Sequence, residues 1–150
     1  MQQARINLAP VKIVAGLAIL LSSFGFTAMR GGEAYKIYLN NKLLMEGVVS
    51  QPIIVKDLRL TEANVNDQLV IYYYHCGTVG KGRSIAIKDD RGTTIKEWKY
   101  ADGSGSNAGM TIPVKELLQL EKSRSGVHLS IYYASQELPH GRMLTSLAKR

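Results

Sequence analysis

The chain has 150 residues, a net charge of +7 and a single cysteine, and 45% of its residues are hydrophobic. That length suits one domain with a real core, and one cysteine excludes an internal disulfide framework. No basic run exceeds two residues and acidic residues are interspersed throughout, unlike the one-sided cation cluster of a nucleic-acid-binding surface.

The first element is an apolar stretch from Ile13 to Met29, set between Lys12 and Arg30, with Arg5 and Lys12 the only charges before it. A basic start, an apolar centre and small residues beyond it are the pattern of an export signal. Ser22 and Ser23 break the hydrophobicity, and Gly25, Ala28, Gly31, Gly32 and Ala34 supply the small positions. A cut after Ala34 sets Gly32 and Ala34 at the two recognised sites, so residues 1–34 are expected to be a signal helix and 35–150 the mature domain. Cuts after Gly25 or Ala28 are the alternatives. An uncut anchor over residues 13–29 is the competing reading, because a spanning helix needs about 17–25 apolar residues. Cys76 lies far from the leader, so a lipoprotein-type acylated N-terminus is excluded. Without residues 1–34 the chain loses Arg5, Lys12, Arg30 and Glu33 and keeps a net charge of +5.

Beyond the leader the text has the period of strands. Tyr35–Leu39 alternates, Asn40-Asn41 offers a tight turn, and Lys42–Glu46 returns. Ile53–Val55 reads as a short strand after Pro52, Leu58–Thr61 alternates again, and Glu62–Asp67 is a turn region. Gln68–His75 is almost wholly β-branched, aromatic or apolar, which predicts a central strand covered on both faces. Gly77–Arg83 is a glycine-rich loop. Ser84–Lys88 and Thr93–Tyr100 form a hairpin around Asp89–Gly92, and Ala101–Gly109 is a polar excursion. Met110–Ile112 is a short strand. Val114, Leu117, Leu118 and Leu120 then recur at helical spacing behind Pro113, predicting a short helix near 113–121. Val127–Ala134 is a strong strand, Ser135–Arg142 a loop, and Met143–Leu147 a last strand. The sum is an all-β domain, an antiparallel β-sandwich of Ig-like or jelly-roll-like type with about seven to nine strands.

Two strands repeat one another. Gln68-Leu69-Val70-Ile71-Tyr72-Tyr73 and His128-Leu129-Ser130-Ile131-Tyr132-Tyr133 share Leu, Ile, Tyr and Tyr in register. Equivalent places in two packed sheets account for this, since the flanking text does not repeat.

Candidate chemistry is sparse. A nucleophilic Cys76 needs an imidazole within reach, and His75, His128 and His140 are the candidates. His75 is poorly placed, because neighbours on a strand face opposite sides. A buried, inert Cys76 is the expectation. Lys81 and Arg83 in the glycine-rich loop offer anion-binding cations, but a phosphate cradle leads into a helix and here a strand follows. Asp102–Asn107 begins like a calcium loop yet has Asn107 where the pattern needs Gly and Pro113 where it needs Glu; no metal and no cofactor are expected. Tyr72, Tyr74 and Tyr132 lie on the parity opposite to the Leu/Ile series, and with Trp98 they could present rings to a sugar or a protein. His140 and Arg142 sit in a loop that could bear a site.

The sequence therefore predicts a small exported bacterial β-domain, periplasmic or secreted, that acts by binding. Its candidate contact residues are Tyr72, Tyr74, Tyr132, Trp98, Lys81, Arg83, His140 and Arg142, and its partner is an envelope protein or glycan rather than nucleic acid. The alternatives are an envelope enzyme using Cys76 with a histidine, and a structural protein tethered in the inner membrane by residues 13–29, which would be its only contact with a membrane.

Overall fold

A computed structural model describes residues 32–49 and 57–148. Residues 1–31 of the expected leader, the strand expected at 53–55 and the last two residues lie outside the described residues. Two-residue alternation becomes strand at β1 (Ala34–Leu39), β2 (Lys42–Val48), β4 (Gln68–Tyr74), β5 (Ser84–Lys88), β6 (Thr94–Lys99), β7 (Met110–Pro113) and β8 (Ser130–Ser135), whereas of Leu58–Thr61 only Leu58 is strand. A two-residue β3 (Asp57–Leu58) and a long β9 (Leu138–Leu147) complete the set, with one helix, α1 (Val114–Ser123), and two 3-10 turns at Glu62–Asn64 and Gly105–Asn107.

The strands form two sheets, ordered β2-β1-β4-β7 and β3-β9-β8-β5-β6. Their ladders are antiparallel, with one exception: β3 runs parallel to β9, with Asp57 opposite Ser146 and Leu58 opposite Leu147. The β1–β2 turn places Asn40 at φ 52°, the left-handed conformation that asparagine tolerates. Its side chain accepts from Gln68 N–H at 2.9 Å and donates to Asp67 Oδ1 at 2.9 Å, so the turn is tied to the start of β4. Pro113 precedes α1 with extended backbone, and the helix buries Val114, Leu117 and Leu118, one face of a 3.6-residue period.

The buried core draws on both sheets, and the repeated strands supply much of it. Leu69, Ile71 and Tyr73 of β4 and Leu129, Ile131 and Tyr133 of the β8 segment are all buried. The rings of Tyr73 and Tyr133 stack at 4.0 Å with 14° between planes. Each buried Leu or Ile contributes about 1.5–3 kcal/mol of hydrophobic stabilisation, and a stacked pair adds about 0.5–1.5 kcal/mol. The shared Leu, Ile and Tyr positions are thus one packing solution used once in each sheet.

Three expectations need correction. Strand β4 is central, but only its inner face is fully covered; Tyr72 and Tyr74 are half-exposed on the outer one. The segment Ser135–Arg142 is not a loop: Gln136-Glu137 is a two-residue turn, after which β9 starts at Leu138. Among the described residues β3 pairs with β9 only at Ser146 and Leu147, so no described strand needs an N–H from Pro139 on that side. Cys76 is exposed rather than buried, since β4 ends at Tyr74 and inward parity falls to His75.

Candidate functional site

Along β1 and β4 the outward residues come into register across the ladder. Lys36 lies opposite Tyr72, Tyr38 opposite Val70, and Ala34 opposite Tyr74. Tyr38 and Tyr72 therefore sit diagonally, and their rings meet edge to face at 5.6 Å and 89°, the arrangement favoured by the ring quadrupole. The polar excursion folds down beside them. Its turn Gly105–Asn107 lies on β4, where Gly105 (φ 73°) approaches the Tyr74 ring. Gly109 sits so close to Tyr72 that an added Cβ would stand 3.0 Å from its ring.

Between these walls is an open groove of about 270 Å³, lined by Tyr38, Asn40, Asn41, Tyr72, Tyr74 and Ser106. None of the six carries a charge. Asp67, whose carboxylate holds the Asn40 amide, has its pKa lowered by hydrogen bonds from Asn64 and then Asn40. A second depression, of about 250 Å³, lies between β6 and α1. Its charged groups Lys96 and Glu116 pair with each other at 3.5 Å, and Glu116 also accepts from Trp98 Nε1 at 3.2 Å, so it offers little to a ligand.

Arg83 explains why the excursion holds its place. It is only 3% exposed. Its Nε donates to Ala101 O at 2.7 Å and its Nη1 to Ala108 O at 2.8 Å, pinning both ends of the loop. Gly80 and Gly103 bridge the two loops through paired backbone hydrogen bonds, and Gly82 N–H donates to Asp102 at 2.8 Å. Ser104 Oγ accepts from His75 N–H at 3.1 Å.

Behind those loops lies a buried polar cluster at one end of the core. His75, with 1% of its side chain exposed, contacts Tyr133 OH through Nε2 at 2.7 Å and Glu33 Oε1 through Nδ1 at 3.5 Å. The tautomer that satisfies both neighbours bears its proton on Nδ1, so that Nε2 accepts from the phenol. Tyr73 OH donates to Glu33 Oε2 at 2.7 Å, and Arg142 Nη1 stands 3.7 Å from the same oxygen. Burial raises the pKa of Tyr73 above the ordinary phenol range, and the bond to Glu33 adds to it; burial likewise raises Tyr133.

The other residues singled out from sequence are scattered. Lys81 is exposed, and its backbone N–H donates to Glu137 at 3.0 Å, which lowers the Glu137 pKa. Tyr132 lies half-buried on the outer face of the second sheet under Lys88, whose Nζ is 4.8 Å from the ring centre. His128 and His140 are exposed. Cys76 and His75 diverge: the thiol faces solvent while both imidazole nitrogens are engaged inside. Tyr72 and Tyr74 are brought together, joined by Tyr38, Asn40, Asn41 and Ser106, which sequence reasoning missed. The outward parity of Tyr38 was the available signal, but the β1–β4 pairing that gives it meaning is not local.

Among the described residues no group of three His, Cys, Asp or Glu side chains is placed to hold a metal ion, and no helix is long and apolar enough to cross a membrane. Comparison with family models, with curated proteins and with solved structures finds no match, so the groove and the cluster stand on their own geometry.

Proposed function

We propose that this is a small exported binding module whose groove at Tyr38, Tyr72 and Tyr74 takes a neutral saccharide. One observation carries the reading: three tyrosine rings, two asparagines and a serine line one groove, with no charged side chain among them. Sugar rings present apolar C–H faces edged by hydroxyls. Aromatic faces receive the former, and amides and hydroxyls pair with the latter. A volume of about 270 Å³ falls just below the range typical of small-molecule pockets, which suits one or two sugar rings. The leader-like segment Ile13–Met29 supports an envelope location, and the Tyr73–Tyr133 stack supports reading the two sheets as the layers of a sandwich.

The test is titration of the folded protein with neutral hexose and N-acetylhexosamine oligosaccharides, followed by amide chemical shifts. Shifts should cluster on β1, β4 and residues 104–109. Tyr72→Ala or Tyr74→Ala should weaken binding about 2–12-fold, the value of one ring stack of about 0.5–1.5 kcal/mol, with the fold retained. Saccharides that move no signal in this region refute the reading. A protein partner is the second reading, favoured by Leu43, 42% exposed, opposite Tyr38 and by Val48 on the same outer face. Under it, Leu43→Ser weakens capture of the partner; under the saccharide reading that variant binds as the parent does.

A further inference from the structure

We infer that removal of the leader occurs upstream of Glu33, so that the exported domain keeps this residue as the shared acceptor of its buried polar cluster. The inference rests on the export reading above. Glu33 is held by both its main chain and its side chain. Its carbonyl accepts from Val49 N–H at 2.8 Å, continuing the β1–β2 ladder past Ala34. Its carboxylate accepts from Tyr73 OH at 2.7 Å and faces His75 Nδ1 at 3.5 Å and Arg142 Nη1 at 3.7 Å.

A cut after Ala34, the position favoured by small residues alone, would remove all of this at once. The Tyr73 phenol, fully buried, would lose its acceptor. Arg142 and His75 would lose the carboxylate beside them. Ala34 would leave its pairings with Val48 and Tyr74. The cut would also create an α-ammonium on Tyr35, a residue only 7% exposed, at the same end of the core as Arg142. A new cation would be set among groups that had just lost their anion, and a buried charge without a partner is strongly destabilising. In the folded domain the Ala34–Tyr35 bond is also shielded, since it lies in β1 with β2 on one side and β4 on the other.

The upstream small residues Gly25 and Ala28 avoid these losses. Hydrolysis there adds one water across the peptide bond. The carboxylate remains on the leader at Gly25 or Ala28, and the new ammonium forms on Phe26 or Met29, ahead of Glu33 in sequence. A cut after Ala28 leaves four residues, Met29 to Gly32, ahead of Glu33.

The experiment is production of the full chain in an exporting bacterial host, followed by fractionation and intact-mass measurement of the envelope product. A product beginning at Phe26 or Met29 is expected. A folded product beginning at Tyr35 overturns the inference and leaves the export reading standing. Full-length chain confined to the cytosol overturns the export reading, and full-length chain in the membrane overturns leader removal. A second measurement tests the physical premise directly in the full chain. Glu33→Ala should lower Tm by about 4 °C or more, whereas Glu46→Ala, an exposed partner of Lys36, should leave it within about 2 °C. Equal melting of the two variants overturns the role given to Glu33.

Discussion

Replacing Tyr133 by Phe isolates the hydrogen bond at the centre of the polar cluster. The substitution keeps the ring, so the stack on Tyr73 at 4.0 Å persists and no cavity larger than a hydroxyl opens. What is lost is the 2.7 Å contact with His75 Nε2. That nitrogen cannot turn to water, because only 1% of the side chain is exposed. Gly80 closes the remaining approach so tightly that even a Cβ there would stand 2.6 Å from the same atom. A buried acceptor left unpaired costs about 1–3 kcal/mol. For a domain of this size that is a fall in Tm of roughly 4–12 °C. The matched control is Tyr132→Phe, one position along but outward-facing beneath Lys88, where water replaces the hydroxyl and the change stays within about 0.5 kcal/mol. Urea melts of both variants, with m-values compared to confirm an unchanged fold, measure the difference. If the two are equally stable, the His75–Tyr133 bond does not contribute as argued.

Arg83→Met should lose two charge-assisted bonds to the carbonyls of Ala101 and Ala108, at about 1.5–3 kcal/mol each. Because that loop bears Ser106, amide exchange across residues 101–109 should speed up, and binding in the tyrosine groove should weaken even though Arg83 lies outside it; unchanged exchange would falsify the pinning role. Exposed Cys76 should react with a thiol reagent in the native state without denaturant, and Cys76→Ser should melt within about 2 °C of the parent; labelling only on unfolding contradicts the structure. Alkaline stability follows from tyrosines whose folded pKa is raised: Tyr35, Tyr73 and Tyr133 upward through burial, and Tyr100 pushed up to about 12 for the same reason. A raised folded value means the stabilisation is whole below the ordinary phenol value near 10 and drains as pH climbs through the folded values. Stability should therefore hold to about pH 10 and fall between about 10 and 12, with phenolate absorbance appearing together with unfolding. Full ionisation of all eight tyrosines in a still-folded domain at pH 11 would contradict this.

Most strands were legible because their period is two and their turns bear Asn or Gly where the backbone needs positive φ, as at Asn40 and Gly92. The helix was legible from Pro113 and the spacing of Val114, Leu117 and Leu118. The start of β9 was hidden by Pro139 and by Gly141, which takes φ 68° near a register shift against β8. Both residues read as loop, yet they lie in β9, where among the described residues β3 pairs only at Ser146 and Leu147. Arg83 reads as an exposed cation because local sequence cannot reveal that two distant carbonyls replace its water. The contacts of Glu33 could not be read locally, since its partners Tyr73, His75 and Arg142 are 40 or more positions away. Tyr72 and Tyr74 were legible by parity, whereas the groove around them needed the β1–β4 pairing and the folded-back excursion.

The twin tyrosines also bear on how quickly this chain reaches its native state. Tyr73 and Tyr133 meet from sixty positions apart, and Tyr35 OH donates to Leu144 O across 109. Loops of that length must close before the core rewards them, which places such topologies in the millisecond-to-second range of folding. Nor can the domain finish early during synthesis, because β9 is the last of the described strands to be made and supplies one of the two partners of β8. A polypeptide that has to be threaded through a narrow translocation channel as extended chain would gain time from that delay.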